Sequence, residues 1–203
     1  MRRATDMTAA LVLMLLLSPL IALVALAVVA GIGRPVLFRQ VRVGRGGRPF
    51  RIVKFRTMRP APRGTPGVDR TPPIGRMLRA TSLDELPELW NVLRGDMALI
   101  GPRPLLKIEQ PKDPRIRRLR QSVRPGITGW AQVNGRNAIT PSRKFALDLD
   151  WIARTGPAMD LVILGRTAVC VAFRAGAHNA CGLSPAQGTE APTQSGTPQP
   201  RPA

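Results

Sequence analysis

The sequence predicts a mostly helical α+β fold, built from an apolar N-terminal helix, a β-hairpin and one compact helical domain. Three observations support this prediction: a long uncharged run near the N-terminus, two segments of alternating apolar and polar residues, and apolar helical patterns in the second half. We expect residues 1–33 to be a membrane-embedded helix and 34–174 to be the compact domain at the membrane interface. Residues 175–203 contain almost no large apolar side chains, which predicts a disordered tail.

The N-terminal run, residues 8–30, carries no charge and is long enough to cross a bilayer. Ser18-Pro19 interrupts it: the proline removes the hydrogen bond to the Leu15 carbonyl, and the serine hydroxyl can satisfy a freed backbone group. Arginines, which prefer the cytoplasm, flank both ends: Arg2 and Arg3 before it, Arg34, Arg39, Arg42 and Arg45 after it. A re-entrant helix kinked at Ser18-Pro19 satisfies both flanks, while a straight span and a cleaved signal peptide stay open as alternatives.

Four further elements follow from local patterns. Alternation at 36–43 and 50–55 predicts a β-hairpin around a glycine-rich loop, and residues 59–73 are expected to form a mobile loop. Asp113 followed by Pro114 marks the start of a helix with Ile116, Leu119 and Val123 on one side and arginines on the remainder. This helix either packs on the core or lies at a membrane interface. Residues 159–173 predict another apolar helix.

Charge and composition limit the function classes. The chain has 31 Lys and Arg against 12 Asp and Glu, a formal charge of +19, so we expect an anionic partner: a phosphorylated molecule, acidic lipid headgroups or nucleic acid. The absence of Tyr and the few other aromatics argue against a stacking platform for nucleic acid. With His178 as the single histidine, a Ser-His-Asp or Cys-His mechanism and a zinc site lack their residues. Chemistry therefore falls to carboxylates, hydroxyls or lysines.

Asp84 and Glu85 are adjacent carboxylates in this basic chain. Nearby cations keep carboxylates ionised, and ionised carboxylates hold divalent metals or attack phosphorus. The same segment also fits a capping box, in which Ser82 and Glu85 only start a helix and Pro87 falls in its first turns. On spacing alone, the capping box is the better-supported interpretation.

The wider pattern of motifs resembles the bacterial sugar transferases, monotopic phosphoglycosyl transferases that load a sugar phosphate onto a polyprenyl phosphate. The resemblance covers roughly residues 1–170 in the expected order. It is carried by KFRTM at 54–58, SLDELP at 82–87, LWNVLRGDM at 89–97, GPRP at 101–104 and RPGITGWAQVNGRN at 124–137. Residues 140–142 and 150–151 depart from the family pattern, which puts local packing or sugar contacts in question.

The resemblance implies roles for the acids. Asp84 would attack the β-phosphate of a UDP-sugar, release UMP and hold the sugar phosphate covalently. Glu85 would act as a base toward the incoming undecaprenyl phosphate, and Mg²⁺ would be held by Asp84 and Glu85. The expected donor-binding residues are Lys54, Arg56, Arg79, Pro102, Arg103, Pro104 and Arg136. Arg103 is the strongest of them, because flanking prolines stiffen its backbone before substrate arrives.

The resemblance also places the protein at the bacterial inner membrane, with its catalytic domain on the cytoplasmic face and in contact with anionic lipids. No nucleic acid is expected as a partner, and a homodimer is left open. Asp148 and Asp160 match acidic positions of the family loosely, and helix-capping or pairing roles explain them equally well. Two other functions compete: a non-catalytic, membrane-tethered basic module, and a transferase that acts on the sugar carbon and releases UDP.

Overall fold

The computed structural model describes residues 2–60, 69–135 and 138–174. Its helices and strands are, in order, α1 (Arg2–Leu16), α2 (Ser18–Gly31), β1 (Leu37–Val43), β2 (Pro49–Phe55), α3 (Pro73–Thr81), α4 (Glu88–Arg94), β3 (Ala98–Ile100), α5 (Pro114–Gln121), β4 (Gly126–Thr128), α6 (Trp130–Val133), α7 (Pro141–Ala153) and α8 (Pro157–Arg174). The mostly helical α+β prediction is confirmed. The expected tail at 175–203 and the middle of the expected loop, 61–68, lie outside the described residues.

Helices α1 and α2 form a bent pair whose axes differ by 63°. Pro19 is the second residue of α2, and the Ser18 hydroxyl donates to the Leu15 carbonyl at 2.8 Å, the local bond that the sequence predicts. Across the described residues, no helix by itself is long and apolar enough to cross a membrane, whereas this bent pair meets the same test when taken together.

Each arm of the bent pair packs on a different part of the domain. Helix α1 joins β2 and α4 in a core cluster of Ala10, Ile52, Leu89, Val92 and Met97. Helix α2 joins the end of β2 and α3 in a second cluster of Val24, Val28, Phe55 and Leu78. The short segment between α3 and α4 therefore lies between the two arms.

Two small sheets and a third cluster complete the fold. Strands β1 and β2 pair antiparallel from Leu37 opposite Phe55 to Val43 opposite Pro49, which confirms the predicted hairpin. Strands β3 and β4, which the sequence did not predict, pair in parallel and bring the chain after α4 beside residues 126–128. Helices α6, α7 and α8 enclose Val133, Trp151 and Ile163. The unusual segment 140–142 begins α7, with the Thr140 hydroxyl accepting from the Arg143 amide.

Helix α5 begins at Pro114 as predicted, and the Asp113 side chain accepts from the Arg115 amide. Its buried face differs from the prediction, because Leu119 is 50% exposed whereas Arg120 is only 7% exposed. An arginine is buried here since Asp148 on α7 supplies the opposite charge. Helix α8 covers the predicted span 159–173 and carries many exposed apolar side chains.

Candidate active site

The two adjacent acids lie in a 3-10 turn, Leu83–Glu85, between α3 and α4. Ser82 ends α3 in the left-handed conformation, with φ at 58°, and its side chain makes no capping hydrogen bond to the turn. The predicted capping box is therefore wrong. Pro87 directly precedes α4, where the first N–H groups have no partner within the helix, so its ring is tolerated. Asp84 and Glu85 are both buried.

Lys54 on β2 is shared between two acids. Its Nζ lies 2.8 Å from Glu85 Oε1 and 2.8 Å from Glu88 Oε1. The Arg103 guanidinium approaches the same Glu85 oxygen at 3.3 Å. We call Lys54, Asp84, Glu85, Glu88 and Arg103 the acid centre. The buried charges of Lys54, Glu85 and Glu88 are held because they neutralise one another at hydrogen-bonding distance, whereas the Arg103 side chain is 41% exposed.

Glu88 is a member of the acid centre that sequence reasoning missed. It is the first residue of α4 and is only 2% exposed. The pKa of Glu88 is raised to about 7, chiefly by burial and further by Glu85, although Lys54 opposes the rise. The available signal was its spacing, because a residue three positions after Glu85 lies on the same side of a helical turn.

Two of the remaining predicted site residues have partners outside the acid centre. Arg79 at the end of α3 donates through Nε to the Thr57 hydroxyl at 2.8 Å, which ties α3 to the segment after β2. Arg56 donates to the Arg34 carbonyl at 3.2 Å, at the junction between α2 and β1. Arg136 lies outside the described residues. The structure thus brings Asp84, Glu85, Lys54 and Arg103 together, but it gives Arg56 a backbone partner instead.

Asp148 and Asp160, which match acidic positions of the family only loosely, lie on α7 and α8. Asp148 lies 2.8 Å from Arg120 in a buried ion pair, so its predicted pairing role is confirmed. Asp160 lies in the first turn of α8, far along the sequence from Asp84. Asp148 is therefore paired outside the acid centre.

The acid centre offers carboxylates to a metal ion, but few of them. Among residues 2–60, 69–135 and 138–174, no three His, Cys, Asp or Glu side chains are grouped as a protein metal cage. Mg²⁺ usually takes only one or two protein carboxylates and completes its octahedron with water and substrate phosphate oxygens. The pair Asp84 and Glu85 therefore fits a metal ion that is shared with a phosphate, not one held by protein alone.

Two buried carboxylates share Lys54, and Arg103, held between prolines, reaches one of them. This arrangement favours the class of enzymes that handle phosphate-bearing substrates. Residues 1–174 match the family described as bacterial sugar transferase. The chain belongs to this family, which confirms the resemblance, and it is a phosphoglycosyl transferase.

Three relatives illustrate the family. The chain is 45% identical over 168 residues to the uncharacterized sugar transferase EpsL of Bacillus subtilis (strain 168), covering 81% of this chain and 83% of EpsL. It is 43% identical over 180 residues to the UDP-glucose:undecaprenyl-phosphate glucose-1-phosphate transferase of Caulobacter vibrioides, covering 82% and 67%. It is 32% identical over 198 residues to the exopolysaccharide production protein ExoY of Rhizobium meliloti (strain 1021), covering 87% and 88%.

Proposed function

We propose that this protein transfers a sugar 1-phosphate from a UDP-sugar to undecaprenyl phosphate, releases UMP, and thereby starts glycoconjugate or exopolysaccharide synthesis. The observation that carries the proposal is the acid centre, in which adjacent buried acids lie beside Lys54 and Arg103. The name of the Caulobacter vibrioides relative supports the donor and acceptor, because it describes the same transfer with glucose.

In the first step, a carboxylate oxygen of Asp84 attacks the β-phosphorus of the donor. The bond from that phosphorus to the bridging oxygen breaks, UMP leaves with the electron pair, and the sugar phosphate remains on Asp84. Attack by one anion on another is unfavourable unless fixed cations neutralise the developing charge. Lys54 and Arg103 are those cations, and Mg²⁺ held by Asp84 and Glu85 would supply further charge neutralisation when bound.

In the second step, a phosphate oxygen of undecaprenyl phosphate attacks the same phosphorus and the Asp84 carboxylate leaves. The acceptor phosphate is largely dianionic at neutral pH and needs little help to lose its last proton. The contacts of Glu85 with Lys54 and Arg103 support a role in holding these cations. When the acceptor phosphate still carries one proton, that proton would pass to the Glu85 carboxylate, so Glu85 also serves as the base.

The function is tested by nucleotide release from membranes that contain this protein, Mg²⁺, undecaprenyl phosphate and a panel of UDP-hexoses and UDP-N-acetylhexosamines. We expect UMP with at least one donor, and a loss of at least about a thousandfold in Asp84→Asn because the nucleophile is gone. Asp113→Asn is the matched control, since asparagine caps α5 equally well.

Each other outcome identifies a different function. UDP in place of UMP moves the reaction to the sugar carbon. Unchanged UMP release in Asp84→Asn removes the covalent intermediate from the proposal. No nucleotide from any donor, with anionic-vesicle binding that ignores Asp84→Asn, supports the non-catalytic basic module instead.

We further propose that the bent pair α1–α2 is a re-entrant membrane helix on the cytoplasmic face of the bacterial inner membrane. Leucines on both sides of the bend are exposed, including Leu16 at 71% and Leu26 at 68%, while the opposite sides of the arms pack around the turn that carries the acids. This arrangement would hold Asp84 near the depth of a lipid phosphate.

Its topology is tested with single cysteines introduced at the two flanks, Met7→Cys and Arg48→Cys, after Cys170 and Cys181 are replaced by serine. Both positions are exposed. An impermeant thiol reagent should label both in inverted inner-membrane vesicles and neither in intact spheroplasts. Labelling from opposite sides would instead indicate a straight span.

A further inference from the structure

The backbone of Pro102-Arg103-Pro104 is fixed from three directions through its carbonyl oxygens. Two of its three residues are prolines and have no N–H, so the carbonyls are its main means of attachment. Pro102 O accepts from the Gly126 amide at 3.0 Å, and Arg103 O accepts from the Arg120 guanidinium at 3.1 Å. Pro104 O accepts from the Arg42 guanidinium at 3.4 Å. The three donors come from β4, α5 and β1.

Arg120 is the one of these donors that is itself held by a buried counter-charge. Its Nε donates to Asp148 Oδ2 at 2.8 Å, and both side chains are buried. Its guanidinium also lies over the Phe145 ring, 5.2 Å from the centroid. A buried ion pair contributes little net stability compared with an apolar pair of the same shape. Stability alone therefore does not explain why Arg120 and Asp148 are paired inside the fold. A fixed geometry for the group that Arg120 contacts is the better explanation.

We propose that Arg120 and Asp148 are positioning residues for Arg103. A line of contacts runs from Asp148 to Arg120, from Arg120 to the Arg103 carbonyl, and from the Arg103 guanidinium to Glu85 Oε1, at 2.8, 3.1 and 3.3 Å. Asp148 orients the guanidinium of Arg120, and Arg120 fixes the backbone from which the Arg103 side chain reaches the acid centre. The proposal rests on the proposed function, in which Arg103 neutralises the donor pyrophosphate.

The surroundings of Arg120 leave room for Arg103 to relax when this contact is lost. A cavity of about 20 Å³, with Pro102, Arg103 and Arg120 in its lining, adjoins the triplet. That volume accepts about one water molecule. A shortened side chain at position 120 would admit water beside the Arg103 carbonyl, and water does not fix the backbone as a held guanidinium does.

The test uses Arg120→Lys, which keeps the charge beside Asp148 but cannot reach both Asp148 and the Arg103 carbonyl with one planar fork. We expect kcat/KM for UMP release to fall about tenfold, the usual effect of losing one charged hydrogen bond. The same substitution at the exposed Arg115 of α5 is the control and should change kcat/KM by less than about twofold.

A double-mutant cycle with Arg103→Ala separates positioning from a general structural role. If Arg120 acts through Arg103, Arg120→Lys should have almost no further effect in the Arg103→Ala background. Where turnover is too low, the cycle is read from the Kd of the UDP-sugar on the Asp84→Asn protein. Asp148→Asn should follow the same pattern as Arg120→Lys.

The outcomes that overturn the inference differ from those that overturn the proposed function. An equal loss from Arg120→Lys in both backgrounds, or no loss in either, shows that Arg120 does not position Arg103 and leaves the proposed reaction intact. Unchanged kcat/KM in Arg103→Ala itself shows that Arg103 does not serve the donor, which overturns both that contact and the inference.

Discussion

The acid centre and the bent pair α1–α2 differ in the kind of side chain that each exposes to solvent. The acid centre buries charge: Lys54 and Glu88 are largely removed from solvent although both are ionisable. The bent pair exposes apolar side chains, of which Leu16 and Leu26 are examples. In most folded domains, charged side chains stay outside and large apolar patches are covered. The charges of the acid centre are stabilised by one another, and the exposed apolar side chains of the bent pair are what the proposed membrane location would cover.

The two regions are also joined. The inner sides of α1 and α2 pack on α4 and α3, the helices on either side of the turn that carries Asp84 and Glu85. The position of the acids therefore depends on the bend between the two arms. The comparison predicts large losses at Lys54, Glu85 and Glu88, because these side chains are largely removed from the water that could replace a partner. Losses at the junction between the two regions should be smaller.

The largest effect is expected for Lys54→Met, which removes the cation shared by Glu85 and Glu88. Loss of one partner from a buried ion pair costs about 3–5 kcal/mol, because the remaining charge stays uncompensated. We expect the free energy of unfolding, measured by urea titration in detergent micelles, to fall by this amount.

The matched control for this prediction is Lys107→Met, at an exposed lysine of the 3-10 turn 107–109, which should change stability by less than about 0.5 kcal/mol. Adding Glu88→Leu to Lys54→Met should recover part of the loss, since it removes the uncompensated acid. Equal losses at positions 54 and 107 would contradict the view that the acid centre is held by mutual neutralisation.

Sequence reasoning succeeded where the physics is local. The bend at Ser18-Pro19, the bond from Ser18 to Leu15 and the Asp113 cap each depend on residues within four positions, and each is observed. The alternation in the hairpin succeeded for the same reason, because a short loop fixes its register.

Predictions failed where a charge is compensated from far along the chain. Lys54 also holds Glu88, which sequence reasoning missed, and Arg120, which the helical pattern placed at the surface, reaches Asp148 across 28 positions. An amphipathic pattern places every arginine of α5 at the surface, because it weighs side-chain polarity alone and cannot include a distant partner. The capping box failed because the left-handed Ser82 breaks the helix between α3 and α4, and local spacing does not reveal such a break.

The second prediction concerns the dependence of stability on pH. Glu88 has a pKa near 7 in the folded protein against an ordinary value of 4.5, and Lys54, Glu85 and Arg103 are the charged groups that face it. Because the folded protein holds this proton more tightly than the unfolded chain, the stabilisation is fully present below pH 4.5 and is lost as pH rises through about 7.

The size of this loss is up to about 3 kcal/mol, and Glu88→Gln, which does not titrate, should remove it. Unfolding midpoints in urea, measured from about pH 5 to about pH 8, should therefore fall in the parent and stay flatter in Glu88→Gln. Glu109→Gln, at a more exposed glutamate, should keep the parent slope. Parallel pH profiles for the parent and Glu88→Gln would show that burial of Glu88 does not control this dependence.

The smallest effect is expected at Arg3, which attaches α1 to the end of α4 that lies away from Glu88. Its guanidinium donates to the carbonyls of Val92 and Leu93 at 2.7 and 3.1 Å, so it caps the C-terminus of α4 from within α1. The sequence had suggested only a flanking charge that keeps this end in the cytoplasm.

Arg3→Ala should lower the free energy of unfolding by about 1 kcal/mol, and Arg39→Ala, at an exposed arginine of β1, should change it far less. Arg3→Lys separates the two roles, because lysine keeps the charge but lacks the fork that reaches two carbonyls. A stability between those of the parent and Arg3→Ala would support the cap. Full recovery by lysine would show that the charge alone matters, and that the two hydrogen bonds from the guanidinium of Arg3 add nothing to the attachment of the bent pair to α4.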